Sequence, residues 1–184
     1  NQFYQFGSGA GYAHILINDG KGNFSPGQTI NVGPTLYFSR LADLDNDGWL
    51  DLVTEQSGSS VLKIYKNMSG IFAGPTQTIN VGNPNLGKMV TLDGNGDGYL
   101  DIAVTVGPAP GVVFVPNNAG TFGTAVTTSL LLGAGSLGVG DTDGDGDLDL
   151  LTTGNQCVTV LTNGIQPVIT STTPVRNSHT FTPT

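Results

Sequence analysis

Apolar and β-branched residues along this chain gather in short runs of about five, separated by turns rich in glycine, proline and asparagine. Leu50-Asp51-Leu52-Val53-Thr54, Leu100-Asp101-Ile102-Ala103-Val104-Thr105 and Leu148-Asp149-Leu150-Leu151-Thr152 alternate or run apolar, which predicts three strands in matching positions. After the first two, a further strand pair is predicted: Val61 to Asn67 then Thr76 to Gly82, and Gly111 to Val115 then Ala125 to Thr128. The N-terminus carries the same pair, His14 to Asp19 then Gln28 to Gly33, and Gln28-Thr29-Ile30-Asn31-Val32-Gly33 nearly repeats as Gln77-Thr78-Ile79-Asn80-Val81-Gly82. The chain therefore reads as units of about 50 residues and four short strands each.

Composition agrees with that reading. The chain has 184 residues, 28 of them Gly and 10 Pro, with few of the strong helix formers Glu, Lys and Arg. It is all-β with many turns, and long enough for one domain of ordinary size.

Charge changes the picture. Three copies of Asp-x-(Asp/Asn)-x-Asp-Gly-x-x-Asp, starting at Asp43, Asp93 and Asp141, hold 12 of the 14 acidic residues. Carboxylates this close repel one another unless a hard dication neutralises them, and Ca²⁺ accepts six to eight oxygen ligands. The first copy offers Asp43, Asp45 and Asp47 on alternating positions, Gly48 for a sharp turn, the carbonyl of Trp49 by analogy with other calcium loops, and Asp51 to close the site. The second offers Asp93, Asn95, Asp97, the carbonyl of Tyr99, and Asp101. Its amide at the third position predicts weaker binding. The third offers Asp141, Asp143, Asp145, the carbonyl of Asp147, and Asp149, with the Asp147 carboxylate expected to face solvent. About three Ca²⁺ are expected, and they would bring the formal charge of −8 to about −2.

Other calcium loops do not fit. An EF-hand needs a bidentate Glu at its twelfth position and flanking helices, whereas Thr54, Val104 and Thr152 stand there and the flanks read as strands. Nonapeptide calcium solenoids repeat every nine residues, but these copies start 50 and 48 residues apart.

Several function classes are also excluded. No basic stripe is present for nucleic acid, and no apolar run reaches the roughly 18 residues of a membrane span. The chain starts at Asn1 without a signal segment, so it reads as mature or excised. Cys157, the only cysteine, lies in the apolar run Cys157-Val158-Thr159-Val160-Leu161 and reads as a buried spectator. Outside the three loops the only acids are Asp19 and Glu55, and neither His14 nor His179 has a nucleophile at motif spacing, so no catalytic residue is expected. Trp49 and Tyr99 occupy matching loop positions, where aromatic rings either pack over the loop or stack on a sugar.

Units of this length and strand count are the signature of β-propeller blades. The segments Leu44-Asp45-Asn46-Asp47-Gly48-Trp49-Leu50-Asp51-Leu52, Leu92 to Ile102 and Gly140 to Leu150 resemble the FG-GAP/VCBS repeat family, known for the calcium-binding propeller of integrin α subunits. Asn18-Asp19-Gly20-Lys21-Gly22-Asn23-Phe24 resembles that family's turn between the third and fourth strands, with Asp19 serving turn chemistry rather than metal. The resemblance covers residues 1–163 and implies blades of four antiparallel strands. Residues 164–184 lose the glycine rhythm and read as a linker or the start of an Ig-like module.

Three complete loops, an opening unit without its first strand and a closing unit that fades after Leu161 make about 3.5 to 4 repeats. That is few for a propeller. The expectation is part of a larger or oligomeric propeller, with open blade edges available for self-association. The resemblance implies a secreted or cell-surface calcium-binding module for adhesion or recognition, with an extracellular protein or glycan as partner. Two alternatives are the propeller part of a secreted polysaccharide-degrading lyase, and a lectin.

Overall fold

The computed structural model describes residues 2–6, 11–34, 36–131, 133–154, 157–164 and 171–175. Among them there is no helix, and the strands form antiparallel sheets.

In chain order the first sheet holds β1 (Gln2–Phe6), β2 (Tyr12–Asn18) and β3 (Phe24–Asn31), paired in that order. The next strands are β4 (Leu36–Ala42), β5 (Asp51–Gln56), β6 (Val61–Tyr65), the two-residue strands β7 (Asn67–Met68) and β8 (Ile71–Phe72), and β9 (Gln77–Asn80). Strands β4-β5-β6-β9 make a four-stranded sheet, with β7-β8 as a small hairpin between its third and fourth members. The arrangement recurs with β10 (Leu86–Leu92), β11 (Asp101–Val106), β12 (Gly111–Val115), the hairpin strands β13 (Asn117–Asn118) and β14 (Thr121–Phe122), and β15 (Val126–Ser129). A last four-stranded sheet has β16 (Leu137–Gly140), β17 (Asp149–Gly154), β18 (Cys157–Thr162) and β19 (Ser171–Val175). The predicted strands are thus present, and the opening sheet supplies the equivalents of second to fourth strands.

Two boundaries differ from the sequence pattern. The strand predicted at Gln28 begins at Phe24, because Pro26 is accommodated opposite Leu16 where the register shifts between His14 and Leu16. Proline lacks the N–H that an ordinary ladder position needs, so it sits at such irregularities. The strand predicted as Val61 to Asn67 breaks at Lys66, since the Asn67 N–H is drawn to the Asp51 carboxylate at 2.8 Å.

The chain divides into two compact units, 1–86 and 87–184, each with its own core. In the first, Ala13, Ile15, Ile30 and Val32 pack with Leu52, Tyr65 and Phe72. In the second, Val90, Leu92, Ala103, Val112 and Leu130 pack with Leu150 and Leu161. In the first two four-stranded sheets the second strand is the one covered on both faces: β11 is buried at every position, and β5 at all but its last, while β17 is buried at Asp149, Leu150 and Thr152. Full burial of one Leu or Ile contributes about 1.5–3 kcal/mol, so these strands anchor whatever is attached to their ends. Attached to their N-terminal ends are the three acidic loops, residues 43–50, 93–100 and 141–148.

Candidate metal centres

The last aspartate of each acidic motif is the first residue of a buried strand. Asp51, Asp101 and Asp149 are 2 %, 0 % and 0 % exposed. A buried carboxylate needs donors on both oxygens, and here they arrive from two directions. One comes from just beyond the third strand of the sheet: the N–H of Asn67, Asn117 and Asn163 donates to Asp51, Asp101 and Asp149 at 2.8, 2.6 and 2.8 Å. The other comes from the second residue of the loop itself, through the N–H of Leu44 to Asp51, of Gly94 to Asp101 at 2.9 Å, and of Thr142 to Asp149 at 2.7 Å. Each such aspartate staples the loop to the sheet.

The asparagines add a second tie. Asn67 Nδ2 donates to the Leu50 carbonyl and Asn117 Nδ2 to the Leu100 carbonyl, both at 3.0 Å. Asn163 departs from this, and its Nδ2 reaches the Gly94 carbonyl of the second loop at 2.9 Å. These three residues escaped the sequence reading. A signal was available, since an asparagine follows the closing aspartate by 16, 16 and 14 residues.

The second loop residue also sets the electrostatics. Burial raises the Asp51 carboxyl above its ordinary range and pushes Asp101 up to about 6. Burial acts in the same direction on Asp149, but the Thr142 hydroxyl and the N–H groups of Asn163 and Thr142 outweigh it and leave that carboxyl below the ordinary range. Leu44 and Gly94 offer no such hydroxyl.

A pH dependence follows for the metal-free protein. Asp101 holds its proton more tightly when folded than the ordinary 3.8, so its contribution to stability is fully present below about pH 4 and is lost as pH rises through about 6. A shift of that size corresponds to about 3 kcal/mol. Urea unfolding in chelator across this window is expected to show stability falling with pH, and Asp101→Asn to flatten the fall; an equal slope in the variant would contradict it.

The loop interiors repeat one geometry. The first aspartate accepts from the backbone ahead of it: Asp43 from Asp47 N–H at 3.1 Å and Gly48 N–H at 2.9 Å, Asp93 from Gly96 and Gly98 N–H at 2.8 and 2.9 Å, and Asp141 from Gly144 and Gly146 N–H at 2.7 and 3.1 Å. Gly48, Gly98 and Gly146 stand at φ of 87°, 87° and 95°. No atom lies within 4 Å of where a Cβ would be, so conformation rather than space calls for glycine at these turns. The residues expected to offer carbonyls, Trp49, Tyr99 and Asp147, donate their N–H to Asp47, Asp97 and Asp145 at 2.8, 2.9 and 2.9 Å. The Trp49 ring lies over Gly70 of the β7-β8 hairpin, and Asp147 is half-buried.

These turns bring carboxylate oxygens together. One oxygen each from Asp43, Asp45 and Asp47 lie within 4.8 Å of one another, as do oxygens of Asp141, Asp143 and Asp149. Asp51 stands outside the first group, and Asp145 and Asp147 outside the third. The second loop has three acids, Asp93, Asp97 and Asp101, but they form no such group; there Asn95 Oδ1 accepts from Asp97 N–H at 3.0 Å. The donor set fits a hard dication. It consists of oxygens alone, and in the first loop Asp45 Oδ1 is buried without a hydrogen-bond partner. The other Asp45 oxygen pairs with the Lys66 ammonium, whose pKa is raised chiefly by that hydrogen bond.

The remaining candidates play local parts. Asp19 caps its own turn, accepting from Lys21 N–H at 2.7 Å and Asn23 Nδ2 at 2.8 Å. Its carboxyl is held below the ordinary range, first by the Asn23 side chain. His14 is exposed with Nδ1 3.1 Å from Thr29 Oγ1. Cys157 is half-buried rather than buried, with Sγ against the Gly154 carbonyl. Glu55 is buried in β5, and His179 lies outside the described residues.

Three acidic loops in one place in three successive sheets is a repeat property, and comparison by sequence bears on it directly. The pattern of the FG-GAP-like repeat matches residues 5–54, 43–104 and 93–152. The chain belongs to the FG-GAP-like repeat family. No curated protein matches this FG-GAP-like chain by sequence. Six chains of solved structures match it. One is a lectin of Agrocybe aegerita, described as specifically recognising non-reducing terminal N-acetylglucosamine, at 23 % identity and a TM-score of 0.65 over 94 % of this chain and 48 % of that one. The FG-GAP-like chain thus spans about half the length of that lectin. At this identity the likeness speaks to fold, which is all-β with antiparallel blades of the propeller type. Among the described residues no helix is long and apolar enough to cross a membrane.

Proposed function

We propose that this FG-GAP-like chain is a non-catalytic recognition module, secreted or displayed at a cell surface, whose blade loops hold about three Ca²⁺ as structural ions and whose ligand is a glycan. The observation that carries the metal reading is the convergence of carboxylate oxygens in loops one and three, in a set of three loops whose closing aspartates are all buried at the start of a strand. Ions held there fix the exposed turn at one end of each blade. The glycan reading is supported by the likeness to a lectin and by the exposed ring of Trp49 beside the first loop, a surface of the kind on which sugar rings stack.

Calorimetry tests the metal reading: uptake of about three Ca²⁺ per chain is expected, and no uptake would overturn it. The sites should also be unequal. Loop three carries five carboxylates and should bind tightest, so Asp141→Ala should remove the strongest calorimetric phase, while loop two, with Asn95 at its third position, should bind more weakly. A glycan array on the calcium-loaded protein, including N-acetylglucosamine-terminated chains, tests the ligand class. Binding to none of the glycans would remove that part of the reading.

A further inference from the structure

The three loops differ at one position outside the motif. The residue before each stapling asparagine is Lys66 for loop one, Pro116 for loop two and Thr162 for loop three. Lys66 stands between β6 and β7, and its ammonium pairs with Asp45 and lies 3.7 Å from Asp47 Oδ2. Asp45 and Asp47 are two of the three carboxylates that converge in loop one. The Asp45 side chain is only 13 % exposed, so the pair is largely shielded on its acidic side, whereas Lys66 is 40 % exposed and has room to swing away.

A lysine ammonium has three donors and no acceptor, so it can satisfy carboxylates in place of a metal but cannot share in its coordination. We propose that Lys66 is a built-in competitor of Ca²⁺ at the first loop: it neutralises Asp45 while metal is absent and must leave as metal enters. Loop one then binds calcium more weakly than its four carboxylates alone would give, and holds its shape better without calcium than loop three does. This rests on the calcium reading above. Loop one would be the member of the set in which calcium displaces an internal cation, since the neighbouring loops carry Pro116 and Thr162 in the equivalent position.

The repulsion between a unit charge and a dication in near contact at a protein surface is worth about tenfold or more in affinity. Trp49 is the chain's single tryptophan and lies in loop one, so Tb³⁺ luminescence excited through it, and its displacement by Ca²⁺, report that loop. The expected result is that Lys66→Met tightens Ca²⁺ binding at loop one by about tenfold, while Lys66→Arg, which keeps the charge, stays near the parent protein. In chelator, Lys66→Met should melt below the parent, because Asp45 has lost its counter-ion. Opposite signs with and without metal separate competition from a structural role, which would shift both the same way. An unchanged loop-one midpoint in Lys66→Met, with normal calorimetric uptake by the parent protein, overturns the inference alone. Absence of any Ca²⁺ uptake by the parent overturns the calcium reading and this inference together.

Discussion

Chelating Ca²⁺ from the loaded protein is expected to lower its melting temperature by about 20 °C. An ion that binds only the folded loop contributes about 3 kcal/mol when free calcium stands at 100 times the dissociation constant, and three independent ions contribute about 8 kcal/mol. In a domain of this size each kcal/mol moves the midpoint by about 2–4 °C. The loss has a structural cause beyond mass action. Without metal, the oxygens of Asp141, Asp143 and Asp149 remain within 4.8 Å of one another, and desolvation already raises the Asp143 carboxyl. Unit 87–184 carries two of the three loops and unit 1–86 one, so the second unit should loosen first as EDTA is added. Melting curves with calcium, with EDTA and with Mg²⁺ make the test. Mg²⁺ demands octahedral geometry and dehydrates reluctantly, so it should restore little. A curve unchanged by EDTA would sink the metal reading.

The strands and the acidic loops were legible in the chain because both are local patterns. The apolar run Ile102 to Val106 marks a strand covered on both faces whatever its partners are, and β11 is buried throughout. The spacing of Asp43, Asp45, Asp47 and Gly48 marks a tight acidic turn without reference to the rest of the chain. What escaped was long-range. Nothing near Asn67 announces that its N–H is committed to Asp51, 16 residues earlier. That commitment ends β6 at Tyr65 and starts the small hairpin. The closing aspartates read as the last ligand of each site, and what the sequence left out is that Asp51 and Asp101 also hold backbone N–H groups on both sides. Nothing in the sequence beside Lys66 ties it to loop one, and the fold lays it there. Ser171–Val175 shows the same limit. Its Ser-Thr-Thr-Pro-Val sequence has no apolar alternation, yet β18 supplies a register in which Pro174 stands opposite Thr159, an edge position that proline tolerates.

Replacing Asp101 by Ala is expected to cost about 3–5 kcal/mol even in the absence of metal. Asp101 is fully buried, and its two oxygens accept from the Asn117 N–H at 2.6 Å and the Gly94 N–H at 2.9 Å. Truncation leaves both donors inside the protein without an acceptor, at about 1–3 kcal/mol each, and opens a void beneath the loop. Burial of the carboxyl works against this loss, as its pKa of about 6 attests, so the net cost should sit toward the lower end near neutral pH and rise below pH 6, where the retained proton removes the charge penalty. Asp97 supplies the comparison. It belongs to the same loop and accepts the Tyr99 N–H, but it is exposed, so water can replace it and Asp97→Ala should cost less than about 1 kcal/mol in chelator. The neighbouring tie extends the argument to loop coupling, since Asn163 joins the Asp149 carboxylate of loop three to the Gly94 carbonyl of loop two. Loss of Asp101 frees Gly94 on its N–H side, and the damage should spread to Ca²⁺ binding at both loops of the second unit. Urea unfolding in EDTA, followed by calcium titration of the same variants, reads the two consequences separately. Equal losses for Asp97→Ala and Asp101→Ala in EDTA would show that Asp101 does not staple the loop to its strand.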